Sequence, residues 1–252
     1  MTNIQKWKKY KKIIKQRKSE KNGEYYIKRM EVNNIIDRIL DIIYPQVCGI
    51  CGKLAYKSLC NKCRIRLEKE FNINIDNYAE DFNKNFNEHY YFFKYENLIR
   101  QQIIALKFQE KPYVYKTIAY FFKENKKSLK KLEKYDIIIV VPVSNKRKKE
   151  RGYNQSKLLA KEIAQIINVP VSDNIIKKAK DTVPQSTLNK EQRLENAKNV
   201  YRVTNIKKVL NRNILILDDI YTTGSTVNEC ARVLIEQGIK KDQIGVITIA
   251  KD

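Results

Sequence analysis

The sequence predicts an α/β protein with a parallel sheet covered on both faces, preceded by a small module built on four cysteines. Three observations predict it. Beyond Tyr135, short apolar runs alternate with stretches of helical periodicity, the pattern of parallel strands joined by crossover helices. One such run, Ile214–Leu217, leads through two aspartates into a glycine-bearing turn and a further helical stretch. Ahead of these, Cys48 and Cys51, then Cys60 and Cys63, form two CxxC pairs within sixteen residues.

Taken in chain order, residues 1–33 read as a basic arm. Over residues 1–30 eleven basic residues face two acidic ones, and Ile4, Trp7, Ile13 and Ile14 mark a helical face only weakly. A nucleic-acid contact and a solvated tail both suit such a segment. Residues 34–70 hold a helix, with Ile35, Ile36, Ile39, Leu40 and Ile43 at helical spacing and Tyr44-Pro45 as its stop, followed by the cysteine module. Residues 71–88 are Asn-rich without a clear period and read as a linker. The domain over 89–252 opens with an aromatic strand at His89–Tyr95 and helices near Asn97–Phe108 and Tyr113–Asn125. A buried strand at Asp136–Val143, a helix at Gln155–Ile167 and short β segments near Ile175 and Val200–Val203 follow. A strand at Asn213–Asp218, a helix from Gly224 to Gln237 and a last strand near Ile244–Ile249 complete it.

With 42% hydrophobic residues in 252, the chain can bury a core. Its longest apolar run, Ile137–Val143, is far short of a membrane span. Nothing like the apolar core of a signal segment follows the lysine-rich start, so a soluble cytoplasmic protein without membrane insertion is expected. Lys and Arg number 51 against 28 Asp and Glu, a formal charge of +23. A field this positive suits a polyanionic partner or a phosphorylated ligand, and equally a soluble basic surface.

The paired cysteines have knuckle spacing, and Gly49 and Gly52 permit the tight turns between them. Four thiolates make a closed tetrahedral site, so Cys48, Cys51, Cys60 and Cys63 are expected to hold structural Zn²⁺, with a redox pair as the other reading. The module is expected to fold around its metal while the sheet domain keeps a core of its own. Cys230 reads as a packed small residue. His89, the one histidine, reads as structural.

The stretch Ile214-Leu-Ile-Leu-Asp-Asp-Ile-Tyr-Thr-Thr-Gly-Ser-Thr226 carries the most chemistry. The acids stand at the carboxyl end of a buried strand, the edge where open α/β sheets bind ligands. Thr222, Thr223, Gly224, Ser225 and Thr226 form a turn opening a helix, where backbone N–H groups, hydroxyls and the helix field suit a phosphate. Asp218 and Asp219 would repel that phosphate but can accept hydrogen bonds from vicinal ribose hydroxyls. Phosphate on the loop and ribose on the acids describe a ribose-5-phosphate site. No lysine follows the glycine, which excludes a Walker A loop, and one glycine does not make a dinucleotide fingerprint.

This stretch resembles the phosphoribosyl pyrophosphate (PRPP) motif of type I phosphoribosyltransferases, and residues 140–250 more closely resemble the ComF family of competence proteins. The matching pieces are Val141–Val143, Lys146-Arg147, Arg151–Gln155, Pro184–Ser186, Arg193–Asn196 and Ile214–Thr226, extended by the cysteine cluster and Leu106-Lys107-Phe108. The resemblance implies a type I phosphoribosyltransferase-like fold. It places Lys146, Arg147 and Arg151 at the pyrophosphate with Mg²⁺, and makes Thr182–Asn196 a flap reaching in with Gln185 and Arg193. It also implies a role in natural transformation, handling incoming single-stranded DNA with helicase-like partners. Tyr153 is one aromatic residue that could stack on bases. Two other functions stay open: an active phosphoribosyltransferase with an unnamed acceptor, and a PRPP sensor that regulates other proteins.

Overall fold

The structure, a computed structural model, describes residues 48–55, 58–108, 114–144, 147, 149, 152–179 and 200–252. The basic arm, the helix expected before Tyr44, Lys146, Arg151 and the whole flap with Gln185 and Arg193 lie outside the described residues.

The strands are β1 (Asn74–Asn77), β2 (Glu88–Lys94), β3 (Ile137–Val140), β4 (Val171–Ser172), β5 (Ile176–Lys178), β6 (Tyr201–Val203), β7 (Ile214–Tyr221) and β8 (Ile244–Lys251). The helices are α1 (Asn61–Glu70), α2 (Asn97–Phe108), α3 (Val114–Glu124), α4 (Gln155–Ile167) and α5 (Ser225–Ile235). One sheet has the order β1-β2-β8-β7-β3-β4, antiparallel only between β1 and β2. Strands β5 and β6 form a separate antiparallel ribbon.

Alternate residues of the central strands face opposite ways, and both faces are covered. On one, Ile138, Val140, Leu215, Leu217, Ile247 and Ile249 meet α2, α3 and α4 through Ile103, Phe121, Phe122 and Leu159. On the other, Ile137, Ile139, Ile214, Ile216, Ile244 and Val246 meet α5 and the ribbon through Leu234, Cys230 and Ile176. This double burial is why these strands read as unbroken apolar runs. Helix α4 starts where the Asn154 side chain accepts a hydrogen bond from the Lys157 backbone N–H, and it stops at Asn168 in the left-handed region at φ 54°.

Two boundaries differ from expectation. Strand β7 continues past the acids to Tyr221 because its ladder with β8 continues, Ile220 opposite Ala250 and Tyr221 opposite Lys251. The stretch expected as a linker over 71–88 contains β1, whose polar sequence NIDN is tolerated at a sheet edge with one open side.

The cysteine module also departs from the expected independence. Cys48, Leu59, Cys63 and Leu67 are at most 3% exposed and belong to the same buried cluster as Phe92, Phe93, Phe121 and Phe122. Thr117 on α3 donates its hydroxyl to the Ser58 carbonyl at 2.8 Å. Gly49 lies so close that a Cβ there would come within 2.1 Å of Thr117 Oγ1. A module of this size cannot bury an adequate core alone, so it completes its core against the sheet domain.

His89 is fully buried on β2 and, as expected, is structural. Its ring stacks on Tyr221 and Tyr91, with centroids 4.2 and 5.3 Å away, and Nε2 lies 2.9 Å from Thr248 Oγ1. Nδ1 is 3.5 Å from Asp76 Oδ2, too long for a firm hydrogen bond. Burial holds the imidazole down at about 3, against the opposing pull of Asp76 and with the help of Lys251 and Lys84. The unfolded chain therefore takes up a proton as pH falls through 6.5, while the folded chain takes none until about 3. The contribution of a neutral His89 to stability is complete above the unfolded value and is lost as pH falls across that window, at a slope approaching ~1.4 kcal/mol per pH unit. Urea melts between pH 7 and pH 4 are expected to show a smaller fall in stability for His89→Gln than for the unaltered protein. Equal falls would mean that His89 takes no part in the acid sensitivity.

Candidate functional site

Strand β7 carries Asp218 and Asp219 to the carboxyl edge of the sheet, and the chain turns directly into α5. The turn depends on Gly224. Its φ is 73°, and a Cβ would fall 2.3 Å from the Tyr221 ring, so both conformation and space exclude a side chain. Thr223 and Ser225 tie the turn locally: their hydroxyl oxygens are 3.0 Å apart, and the Ser225 N–H donates to Thr223 Oγ1 at 3.3 Å. Thr222–Thr226 thus set hydroxyls and a helix N-terminus beside two carboxyls, an arrangement able to take a phosphate next to a diol.

The acids are held unequally. Asp219 is 4% exposed, and both its oxygens have partners: Lys107 Nζ lies 2.8 Å from Oδ1, and Gln155 Nε2 donates to Oδ2 at 2.9 Å. Asp218 accepts at Oδ1 from the Ser156 hydroxyl at 3.2 Å and from the Asp219 backbone N–H at 2.9 Å. Its Oδ2 has no partner among the described residues. Burial first, and then repulsion from Asp219, raises the Asp218 carboxyl to about 7, with Lys107 and the two hydrogen bonds opposing. Cys230 packs fully buried in the cluster on the α5 face, its thiol pushed well up by burial.

Residue reasoning identified Asp218, Asp219 and the loop but gave no role to Lys107, Gln155 or Ser156. These stand on α2 and α4, far from β7 in the chain. Lys107 and Gln155 do fall within two pieces of the family resemblance, Leu106-Lys107-Phe108 and Arg151–Gln155, and Lys107 stands beside the buried Leu106 on an amphipathic helix.

On the side expected for pyrophosphate, Arg147 is half-buried, its backbone N–H donating to Ser144 Oγ at 3.3 Å. Next to it a cavity of about 580 Å³ lies between the end of β3, the start of α4 and β5. Ser144, Lys157, Lys161, Lys177 and Lys178 line it, together with Asp173, which pairs with Lys157. Tyr153 also lines it, but its hydroxyl donates to the Leu106 carbonyl at 2.5 Å and its ring packs against the core. That leaves Tyr153 a wall of the cavity more than a free stacking platform.

The sulfurs of Cys48, Cys51, Cys60 and Cys63 all lie within 4.8 Å of one another, with 3.9 Å between Cys51 and Cys60. Tetrahedral bonds of ~2.3 Å to a common metal require sulfurs about 3.8 Å apart. The cluster therefore has the dimensions of a metal site. Burial would raise the Cys48 thiol, but backbone N–H groups of Cys60, Cys51 and Ile50 outweigh it and bring the thiol to about 7. Burial and the three neighbouring thiols drive Cys63 the other way. Four thiolates this close need a cation among them to ionise together.

A phosphoribosyl transferase domain model matches residues 154–252. Among known proteins, Competence protein F of Haemophilus influenzae is 32% identical over 146 residues, 56% of this chain and 64% of that protein. DNA utilization protein YhgH of Escherichia coli K12 is 33% identical over 109 residues, 43% of this chain and 47% of its own length. Competence protein ComFC of Bacillus subtilis is 32% identical over 106 residues, covering 42% of this chain and 41% of that protein. The alignments thus span less than two thirds of each relative. The acid pair with its turn, the four-cysteine cluster and these relatives make the chain similar to the competence proteins, with a phosphoribosyl transferase domain over residues 154–252.

Proposed function

We propose that the chain binds PRPP at the carboxyl edge of its sheet and serves in natural competence, handling incoming single-stranded DNA in the cytoplasm. The observation that carries this reading is the convergence of an acid pair and a glycine-dependent, hydroxyl-rich turn at the start of α5. Asp218 and Asp219 would take the ribose hydroxyls, and Thr222, Thr223, Gly224, Ser225 and Thr226 the 5-phosphate. Mg²⁺ would arrive with the pyrophosphate oxygens, offset by Lys146, Arg147 and Arg151, under a flap bearing Gln185 and Arg193. The printed names of the relatives, competence protein and DNA utilization protein, support the DNA role. A competence helicase is the partner class that role implies. The four cysteines would hold structural Zn²⁺, every position on the metal being filled by sulfur.

The cavity of about 580 Å³ between the end of β3, the start of α4 and β5 favours a second reading, in which an acceptor displaces pyrophosphate at the anomeric carbon. Release of pyrophosphate from Mg·PRPP, with a panel of nucleobases, amines and oligonucleotides, decides between them. Turnover at ~1 s⁻¹ or more with any acceptor would make the protein an enzyme.

Three outcomes test the main reading. Replacing both acids, Asp218→Asn with Asp219→Asn, is expected to weaken PRPP binding at least tenfold, ~1.4 kcal/mol; calorimetry showing unchanged affinity would remove the acids from the site. Elemental analysis is expected to find one zinc per chain. Because Cys48 and Cys63 share a buried cluster with α3, stripping the metal should lower the melting temperature of the whole domain in one transition. A zinc-free protein of the same stability would exclude the structural metal. Finally, affinity for single-stranded DNA should fall with salt at a log–log slope of about −0.7 per phosphate neutralised, and more gently once residues 1–30 are deleted. Binding indifferent to salt would separate the +23 charge from DNA.

A further inference from the structure

Two carboxylates adjacent in sequence and directed at one edge of a sheet oppose each other. Pushed into the protein together, one of them would hold its proton and cease to be a strong acceptor. Contacts from outside the strand relieve Asp219, while Asp218 is still held up by burial and by its neighbour. Lys107, near the end of α2, reaches Asp219 Oδ1 at 2.8 Å, with its side chain only 18% exposed and that of Asp219 5% exposed. Gln155 on α4 occupies Oδ2 at 2.9 Å. Nothing comparable holds Asp218, whose described partners are the Ser156 hydroxyl and the Asp219 N–H, both at Oδ1.

The groups facing the pair come from every neighbouring element. Lys107 comes from α2, Gln155 and Ser156 from α4, Tyr201 from β6, and Cys230, with Glu229 beside it, from α5. Glu229 is paired with Arg232, and burial keeps the Tyr201 hydroxyl and the Cys230 thiol protonated. Lys107 is therefore the cation in direct contact with the pair among the described residues.

We propose that Lys107 is a positioning residue for sugar recognition, dividing the labour between the two acids. It neutralises and anchors Asp219, and so leaves Asp218, through an Oδ2 without a partner among the described residues, as the principal acceptor for the ribose diol. The inference rests on the reading of this edge as a ribose-5-phosphate site. Asp219 then serves less as a ligand than as the fixed post that sets Asp218, joining α2 and α4 to β7. Anchored on both oxygens, Asp219 also limits how far Asp218 can swing, because the Asp219 N–H is itself bonded to Asp218 Oδ1.

The experiment compares ribose 5-phosphate, 2-deoxyribose 5-phosphate and inorganic phosphate as ligands by calorimetry. The unaltered protein is expected to prefer ribose 5-phosphate over the deoxy sugar at least tenfold. Lys107→Met is expected to reduce that preference to threefold or less while leaving the affinity for inorganic phosphate, held by the Thr222–Thr226 turn, within threefold. Lys107→Arg, which retains the charge, is expected to restore most of the preference. Should Lys107→Met melt below the assay temperature, Lys107→Gln, which retains a donor without charge, carries the same comparison. A neutral variant that still discriminates the two sugars as the unaltered protein does would overturn the role of Lys107. An unaltered protein that binds phosphate but does not discriminate the sugars would instead overturn the ribose reading beneath it, so the two failures are told apart.

Discussion

Everything around the site follows from placing two like charges side by side at a buried strand end. A carboxylate loses hydration on burial, and a second one next to it adds repulsion, so the pair is tolerable only with compensation built into its surroundings. Here the compensation comes from two helices on one face of the sheet. Helix α2 supplies a cation and α4 supplies an amide and a hydroxyl, all within hydrogen-bonding reach. The order of the sheet makes this geometry available. β7 is central, between β8 and β3, and the helices that cover it are those preceding and following β3. Asp218 keeps an imbalance, its carboxyl raised to about 7 by burial and by Asp219.

The same face of the sheet explains the cysteine module. Helix α3 presents Phe121 and Phe122 to the sheet and Thr117 to the Ser58 carbonyl, so one helix serves both parts of the molecule. Burying Leu59 and Leu67 against this helix removes apolar surface that a metal alone would not cover, each full burial contributing about 1.5–3 kcal/mol. A four-sulfur cluster and a hydrophobic contact then fix the same short segment from two sides. Order at the four sulfurs and packing at α3 are physically one problem, and Gly49, with no room for a Cβ, marks the seam.

How much of this could be read from the sequence depended on whether the signal was local. The apolar runs of β3 and β7, the helical period of α4 and the glycine turn before α5 are local, and they appear near where their patterns placed them, with β3 shorter and β7 longer than expected. The four cysteines were legible because metal geometry imposes a spacing that chance rarely imitates. The edge strand β1 was hidden, since its NIDN sequence has little β preference and its pairing is decided by the distant β2. Lys107 was legible as part of a matching piece, but its contact with Asp219 was hidden for a sharper reason. On a helix of this kind a lysine ordinarily faces water, and only the folded chain brings it to an acid more than a hundred residues away. The shared core of the cysteine module likewise leaves no periodic trace, because contacts between Gly49 and Thr117 belong to neither element alone.

The excess of positive charge and the buried acids are two sides of one electrostatic design. An anionic ligand approaching the edge meets Asp218 and Asp219, and two full negative charges there would repel it. Lys107 offsets Asp219 directly, and a carboxyl near 7 is only partly ionised at neutral pH, so the edge opposes an anion far less than its sequence suggests. Meanwhile lysines line the cavity between β3, α4 and β5, and the chain as a whole carries +23, a field that would attract the phosphorylated ligands proposed for it. The division is spatial. Charge that attracts is spread over the surface and the cavity wall, where water keeps it inexpensive, while charge that discriminates is confined to one buried pair and tuned by its neighbours. A field of the first kind cannot distinguish a sugar from a strand of nucleic acid. On the proposed reading discrimination comes from the second, and a single lysine on α2, contributing one charge among 51 basic residues, would then matter more than the rest.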